Sequence, residues 1–181
     1  MDVVDLTLVL GGTRSGKSAF AETLVGETQD IVYVAPMVPA PQDLEFQERI
    51  ASHKRRRPVT WSTYEAESLE ALLQFLTVAS GPILLDSLGS MMSRIISEEL
   101  VRPKDYLERF VYALASLRTP TIVVSEEVGL SIHPLSPMGR DFVDLLGELN
   151  QRVAMLSKKV IMVIAGIPLL IKDQEQSVFD A

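Results

Sequence analysis

One stretch near the start of the chain restricts its possible folds more than any other. Residues 11–18 read GGTRSGKS and match the phosphate-binding pattern G-x-x-x-x-G-K-[ST]. Residues 6–10 (LTLVL), which are mostly apolar, precede this stretch and predict a buried parallel strand, and residues 19–24 after it favour a helix. Because strand, glycine-rich loop and helix follow one another as a phosphate site requires, we interpret the stretch as a phosphate-binding loop rather than an ordinary glycine turn.

The residue types of this loop suit a nucleoside triphosphate. Glycines adopt backbone angles that other residues resist, so successive amide N–H groups can converge on phosphate oxygens at the positive end of a helix. Lys17 can reach the β- and γ-phosphates as a point charge, and the Ser18 hydroxyl can bind Mg²⁺. Lys17 is therefore a candidate catalytic residue, and Ser18 is a candidate metal ligand.

The rest of the chain alternates predicted strands with predicted helices. Further strands are predicted at 31–35, 82–86, 121–125, 160–165 and 168–171, before a polar and frayed tail at 172–181. Helices are predicted at 43–57, 68–78, 91–101, 106–117 and 138–156. This alternation is typical of an α/β fold, here a P-loop NTPase-like, doubly wound and mainly parallel sheet with helices on both faces. At 181 residues the chain is expected to form a single nucleotide-binding domain.

Acidic residues end two of the predicted strands. Asp86 follows the apolar residues 82–85, which is the form of a Walker B element whose carboxylate holds Mg²⁺ directly or through water. Such an acid could instead merely cap the next helix. Glu126 and Glu127 follow the strand at 121–125 and could serve Mg²⁺, act as a base or be structural.

Basic side chains cluster at the end of the helix predicted at 43–57. Residues 54–57 read KRRR and directly follow His53, which shares a helix face with Arg49. Cations at a helix C-terminus complement the dipole, so the cluster could be an ordinary solvated helix end. It could equally be an anion site, and beside a phosphate-binding loop the natural anion is a nucleoside triphosphate.

The composition excludes several classes of protein. The net charge of −7 leaves no broad positive field, so general nucleic-acid binding is not expected. The absence of cysteine excludes disulfides, cysteine–zinc sites and a thiol nucleophile, and it fits a cytoplasmic protein. The longest apolar run, 160–171, is too short to span a bilayer and is interrupted by Gly166 and Pro168. We therefore expect no membrane span.

Four stretches in this order resemble one family over nearly the whole chain. They are the loop at 11–18, the segment from Arg49 to Trp61, residues 124–130 (VSEEVGL), and residues 149–154 (LNQRVA) leading to 165–168 (AGIP). Together they are similar to the bifunctional adenosylcobinamide kinase / adenosylcobinamide-phosphate guanylyltransferase family of cobalamin biosynthesis. A phosphate-binding loop alone says little about the substrate, whereas the ordered set in a chain of this length is specific.

The resemblance implies two reactions on adenosylcobinamide. ATP or GTP phosphorylates the hydroxyl of its aminopropanol arm, and GTP then transfers GMP to that phosphate through a guanylylated histidine, giving adenosyl-GDP-cobinamide. His53 matches the position of that nucleophile, and a neutral imidazole nitrogen can attack an α-phosphate to form a phosphoramidate. The resemblance also implies a homo-oligomer, since family members assemble as a propeller-like trimer.

Nucleotide contacts carried over from the family fall on the loop and on segments after it. Together with the motifs, the resemblance assigns nucleotide binding to Gly11, Gly12, Thr13, Arg14, Ser15, Gly16, Lys17, Ser18, Ala35, Pro36, Met37, Lys54, Arg55, Arg56, Arg57, Glu65 and Asp86. Of these, Ser18 and Asp86 are also the expected Mg²⁺ ligands. His53 and Lys17 are the expected catalytic residues.

The chain departs from the family pattern in loops near the expected site. Family members usually carry a small hydroxyl residue at Pro36, Thr at Gly89, Asn at Glu126, Gly at Ser131, and a Val-Pro-Glu run where residues 133–135 read HPL. The carboxylate of Glu126 adds a negative charge close to the phosphates. Two other functions therefore stay open, a P-loop kinase for another small molecule without guanylyltransferase activity and a non-catalytic GTP-binding protein.

Overall fold

Strands and helices alternate along the chain in the computed structural model, which describes residues 5–25, 30–36, 57–130 and 134–174. The strands are β1 (Leu6–Gly11), β2 (Val32–Ala35), β3 (Ser62–Glu65), β4 (Ile83–Asp86), β5 (Thr121–Glu126), β6 (Lys159–Ile164) and β7 (Ile167–Asp173). The helices are α1 (Lys17–Val25), α2 (Leu69–Val78), α3 (Leu88–Ser97), α4 (Pro103–Ser116) and α5 (Pro137–Leu156).

The strands form one sheet in the order β3-β2-β4-β5-β1-β6-β7. Neighbouring strands from β3 through β6 pair in parallel, and β7 runs antiparallel to β6. Because parallel strands end at the same edge of a sheet, the loop after β1 and the acidic end of β4 lie at one edge. β5 runs between these two strands, so its last residue, Glu126, lies between the loop and Asp86.

Both faces of the sheet are covered by helices. Leu8 and Leu10 of β1 pack into the larger apolar core, which contains the buried faces of α2, α3, α4 and α5. Val9 faces the other side and packs with Ala21 and Val25 of α1. This arrangement confirms the predicted α/β fold and explains why β1 is apolar at successive positions. None of the described helices combines the length and the apolar character that a membrane span requires.

Two helices begin earlier than the sequence predicts. α3 begins at Leu88 instead of residue 91, because Ser87 and Ser90 form a reciprocal capping box in which each side chain accepts the other's backbone N–H. α3 also ends at Ser97, before the predicted residue 101. α4 begins at Pro103 instead of residue 106, since proline has a backbone angle suited to the first helical turn.

The two edge strands differ most from the sequence expectation. β3 is not predicted from the sequence, because it is short and most of its residues are exposed. β7 is longer than predicted and extends to Asp173, so the frayed tail expected at 172–181 is wrong for its first two residues. The Lys172 ammonium group donates a hydrogen bond to the Ala154 carbonyl (2.8 Å). Residues 175–181, and residues 43–56 of a predicted helix, lie outside the described residues.

Candidate nucleotide-binding active site

The loop between β1 and α1 has the conformation that a phosphate site needs. The N–H of Ser15 donates to the Gly12 carbonyl (3.2 Å), and the Ser15 carbonyl accepts from the N–H of Gly166 (2.8 Å), so the turn after β6 supports the loop. Gly16 has a φ of 91°, which residues with a side chain rarely adopt. α1 begins at Lys17, so the N–H groups of its first turn lie at the loop.

Lys17 places a buried ammonium group at this loop. The residue is only 4% exposed, and its Nζ lies 3.4 Å from the Gly12 carbonyl oxygen and 3.4 Å from Oε1 of Glu126. A buried ammonium is unfavourable unless it is paired and hydrogen-bonded. The chain therefore provides its own counter-ion for the lysine that is expected to contact phosphates.

The Glu126 carboxylate is fixed by donors from the start of α3 as well. The Ser87 hydroxyl donates to both carboxylate oxygens (3.0 and 3.1 Å), and the N–H of Gly89 donates to Oε2 (2.9 Å). The backbone of β5 is fixed too, because Nδ2 of the buried Asn150 donates to the Glu126 carbonyl (3.0 Å) and its Oδ1 accepts from the Ser125 hydroxyl (2.6 Å). The end of β5 is thus held in one position.

Asp86 has different surroundings. The Tyr33 hydroxyl donates to Oδ2 of Asp86 (3.0 Å) across the β2–β4 pair. Burial, followed by the neighbouring negative charge of Asp86, raises the pKa of Tyr33 well above its usual range, so the hydroxyl remains a neutral donor. The Arg57 guanidinium lies 3.2 Å from the centre of the Tyr33 ring, in a cation–π contact. α3 is capped by Ser87, so Asp86 is not the capping residue of the next helix.

The donor types at this edge fit Mg²⁺ bound together with phosphates. Ser18, the second residue of α1, supplies a hydroxyl, and Asp86 supplies a carboxylate; α1 packs against β4, the strand that Asp86 ends. Across the described residues, no cluster of three or more His, Cys, Asp or Glu side chains could hold a metal ion by itself. Mg²⁺ typically binds through one or two carboxylates, waters and substrate phosphates, so this sparse set of ligands suits it.

The other predicted site residues divide into two groups. Thr13 and Arg14 lie exposed on the loop, and Ala35 pairs with Glu65 where β2 and β3 end, at the same edge as the loop. The Pro36 carbonyl, just after β2, accepts a hydrogen bond from Nη1 of Arg94 on α3 (3.2 Å). The predicted residues outside the described part of the chain are Met37, His53, Lys54, Arg55 and Arg56, together with the departures at Ser131 and His133.

Sequence reasoning missed three polar side chains that organise the site. Tyr33 contributes a buried polar group to the apolar strand β2, Asn150 contributes one to the buried face of α5, and Ser87 directly follows the strand-end Asp86. A polar residue at an apolar position is the available signal, because a buried polar group needs a partner. The identity of the partner is not encoded locally, since Tyr33 and Asp86 are 53 residues apart.

Comparison with known proteins finds a family model and relatives that match most of the chain. A family model described as cobinamide kinase / cobinamide phosphate guanyltransferase matches residues 7–171. The bifunctional adenosylcobalamin biosynthesis protein CobP of Pseudomonas aeruginosa is 35% identical over 170 residues, which cover 92% of this chain and 97% of that protein. CobU of Salmonella typhimurium, with the same description, is 33% identical over 182 residues, covering 92% of this chain and 99% of that protein.

Solved structures agree at the level of the fold. An ATPase from the type III secretion system of pathogenic bacteria has a TM-score of 0.52 at 12% identity, covering 88% of this chain and 51% of that one. The Pyrococcus horikoshii protein PH0250 also has a TM-score of 0.52, at 10% identity, covering 98% of this chain and 91% of that one. The sheet order, the phosphate-binding loop and the match over residues 7–171 lead to one conclusion. This chain belongs to the cobinamide kinase / cobinamide phosphate guanyltransferase family.

Proposed function

We propose that this chain carries out two successive reactions on adenosylcobinamide. It first transfers the γ-phosphoryl group of ATP or GTP to the hydroxyl of the aminopropanol arm. It then transfers GMP from GTP to the new phosphate, giving adenosyl-GDP-cobinamide and pyrophosphate. The observation that carries this proposal is a buried loop lysine, Lys17, that pairs with the strand-end carboxylate of Glu126 in a chain that matches the family over residues 7–171.

The kinase step uses the sheet edge described above. The N–H groups of the loop and of the first turn of α1 bind the phosphates, and Lys17 neutralises charge on the transferring group. Ser18 and Asp86 would hold Mg²⁺, which would supply positive charge against the negative charge that develops on the phosphates. The hydrogen bond from Tyr33 orients the Asp86 carboxylate toward that role.

The guanylyl transfer uses His53 as nucleophile. An imidazole nitrogen attacks the α-phosphorus of GTP, a P–N bond forms, and the bond to the leaving pyrophosphate breaks. A phosphate oxygen of adenosylcobinamide phosphate then attacks the same phosphorus, the P–N bond breaks, and the histidine is regenerated. Arg57, four residues after His53 in the sequence, packs on Tyr33, and this contact supports a connection between the basic segment and the kinase edge.

Covalent labelling tests the second reaction. Protein incubated with Mg²⁺ and GTP labelled at the α-phosphate should retain acid-labile, base-stable label after denaturation. His53→Ala should lose the label, and His133→Ala is the matched control because the chain has only 2 histidines. GTP binding without label would instead indicate a P-loop kinase or a non-catalytic GTP-binding protein. Label that survives in His53→Ala would assign the nucleophile elsewhere.

We further propose that the chain works in the cytoplasm and assembles as a homotrimer or another homo-oligomer. The support for assembly is β7, an edge strand whose residues Ile167, Leu169, Leu170 and Ile171 are between 46% and 70% exposed. An exposed apolar edge strand is a typical interface between protein chains.

The oligomer is tested by Ile171→Lys. Light scattering after size exclusion should show the mass falling toward the 20.0 kDa of one chain. Val101→Lys, at an apolar site outside β7 that is more exposed than Ile171 (92% against 59%), should leave the mass unchanged. An Ile171→Lys protein of wild-type mass would reject β7 as the interface.

A further inference from the structure

The carboxylate of Glu126 occupies the position where the loop lysine is expected to meet phosphate. Its Oε1 lies 3.4 Å from Nζ of Lys17, and the buried lysine is thereby paired within the chain. The carboxylate belongs to β5, which runs between the strand that leads to the loop and the strand that ends at Asp86. It therefore lies at the centre of the proposed phosphate and metal site.

The surroundings of this carboxylate are built to hold it. The Ser87 hydroxyl and the Gly89 N–H donate to it from the first turn of α3, whose positive dipole end favours an anion. Gly89 also provides the space, since a Cβ at this position would lie 2.0 Å from Oε2 and 2.6 Å from the carboxyl carbon of Glu126. A side chain at residue 89 and the carboxylate in this position exclude each other.

Charge determines what this arrangement does to a nucleotide. A metal-free triphosphate brings several negative charges to a site whose lysine is already neutralised, so its phosphates repel Glu126. A magnesium-bound nucleotide brings two compensating positive charges. Both oxygens of Glu126 already accept hydrogen bonds, so the carboxylate is held beside the lysine and is not displaced without losing them.

We propose that Glu126 is an internal anion that makes nucleotide binding depend on the metal. It pairs with Lys17, opposes metal-free nucleotide and admits the magnesium complex. The inference rests on the proposed function only in taking residues 11–18 as the nucleotide site. It assigns to Glu126 a specificity role, in which the residue acts through Lys17 on the charge of the ligand that the site accepts.

The test measures binding, not turnover. The affinity of guanosine 5′-(β,γ-imido)triphosphate is determined by calorimetry in Mg²⁺ and in EDTA for wild type and Glu126→Gln, which keeps the shape and removes the charge. The ratio of the metal-free Kd to the Mg²⁺ Kd should fall about tenfold or more in Glu126→Gln, because metal-free binding tightens most. Glu126→Asp, which keeps the charge, should retain a high ratio.

A neighbouring carboxylate provides the matched control. Glu127→Gln removes the same charge one residue further on, where Oε1 of Glu127 accepts the Gly129 N–H (2.7 Å) and not Lys17. Its ratio should change less than about twofold, since added distance and solvent weaken the interaction. An unchanged ratio in Glu126→Gln, with wild-type binding intact, overturns this inference alone. If no protein binds the analogue in either condition, the nucleotide site itself is rejected and the inference with it.

Discussion

Two carboxylates end neighbouring strands of one sheet, yet they have different partners. Asp86 at the end of β4 accepts a hydrogen bond from the neutral hydroxyl of Tyr33 (3.0 Å). Glu126 at the end of β5 accepts from Ser87 and Gly89 and pairs with the buried ammonium of Lys17. A motif search sees two acids at strand ends, whereas the structure gives one of them a neutral donor and the other a cation.

The difference shows that partners, more than position, determine what a strand-end acid can do. An ionised carboxylate has about four lone-pair positions. Within the described residues one neutral donor engages Asp86, so most of its capacity remains for a metal ion. Both oxygens of Glu126 are engaged, and its charge is balanced by Lys17. We therefore propose Asp86 as the metal-binding acid and Glu126 as the residue that compensates charge.

The largest expected effect is the loss of activity when the charge of Asp86 is removed. Asp86→Asn removes the charge of the proposed metal ligand, so kcat/KM for phosphorylation of adenosylcobinamide should fall about a hundredfold or more at fixed Mg²⁺. Steady-state kinetics across a Mg²⁺ series measure this. Asp141→Asn on α5, far along the chain from the loop, is the control and should remain near wild type.

The same kinetic measurement on Glu126→Gln can contradict this prediction. If Glu126→Gln abolishes phosphorylation while Asp86→Asn retains it, the two roles are reversed.

The second prediction tests the space that Glu126 requires. Gly89→Ala should destabilise the protein by about 2 kcal/mol, because the new Cβ would overlap the Glu126 carboxylate at 2.0 Å and one of them must move. In a Glu126→Ala background the same substitution should cost less than about 0.5 kcal/mol, so the double-mutant cycle has a clear coupling energy. Urea unfolding of the four proteins measures it.

A second helical glycine controls for backbone effects. Gly147→Ala on α5 meets no atom within 4 Å and should be neutral or stabilising. Equal costs of Gly89→Ala in both backgrounds would show that the close approach to Glu126 is not what makes glycine necessary there.

Sequence reasoning succeeded where the information is local. The phosphate-binding loop, Lys17, Ser18 and Asp86 lie in short patterns whose order along the chain predicts their place at one sheet edge. The alternation of apolar strands and amphipathic helices was equally sufficient for the fold.

Sequence reasoning failed where the role of a residue depends on a partner far along the chain. Tyr33 meets Asp86 across 53 residues, and Gly89 meets Glu126 across 37, so neither pairing can be read from a local pattern. The exposed edge strand β3 has too little apolar alternation to be recognised. The resemblance marked Gly89 and Glu126 as two separate departures, and only the structure shows that one makes room for the other.

The third prediction sharpens the Asp86 side of the comparison. Tyr33→Phe removes the hydroxyl that orients Asp86 and should raise the KM for Mg²⁺ about tenfold with a smaller change in kcat, as loss of a ligand's supporting hydrogen bond typically does. Tyr64→Phe removes a hydroxyl that donates to the Ala71 carbonyl (3.2 Å) and should leave the Mg²⁺ dependence unchanged. Equal Mg²⁺ dependence of Tyr33→Phe and wild type would remove Tyr33 from the metal site.

The smallest expected effect tests whether the partner of Asp86 is a neutral donor. Burial and then Asp86 raise the pKa of Tyr33 above its ordinary 10.0, so the folded chain holds this proton more tightly than the unfolded chain. The resulting stability is complete below pH 10 and is lost as the pH rises toward the folded-state pKa, by about 0.8 kcal/mol at pH 10.5. The free energy of unfolding, measured at pH 8 and at pH 10.5, should fall less between these values in Tyr33→Phe than in wild type.

Tyr106, whose pKa is also raised by burial, makes a parallel contribution, so Tyr33→Phe should reduce the alkaline loss and not abolish it. Tyr112→Phe removes an exposed ring hydroxyl and should keep the wild-type loss. An unchanged loss in Tyr33→Phe would mean that Tyr33 gives up its proton as readily in the folded chain as in the unfolded one. The buried contact between the Tyr33 hydroxyl and Asp86 would then be rejected, and with it the hydrogen bond that is proposed to orient Asp86 for metal binding.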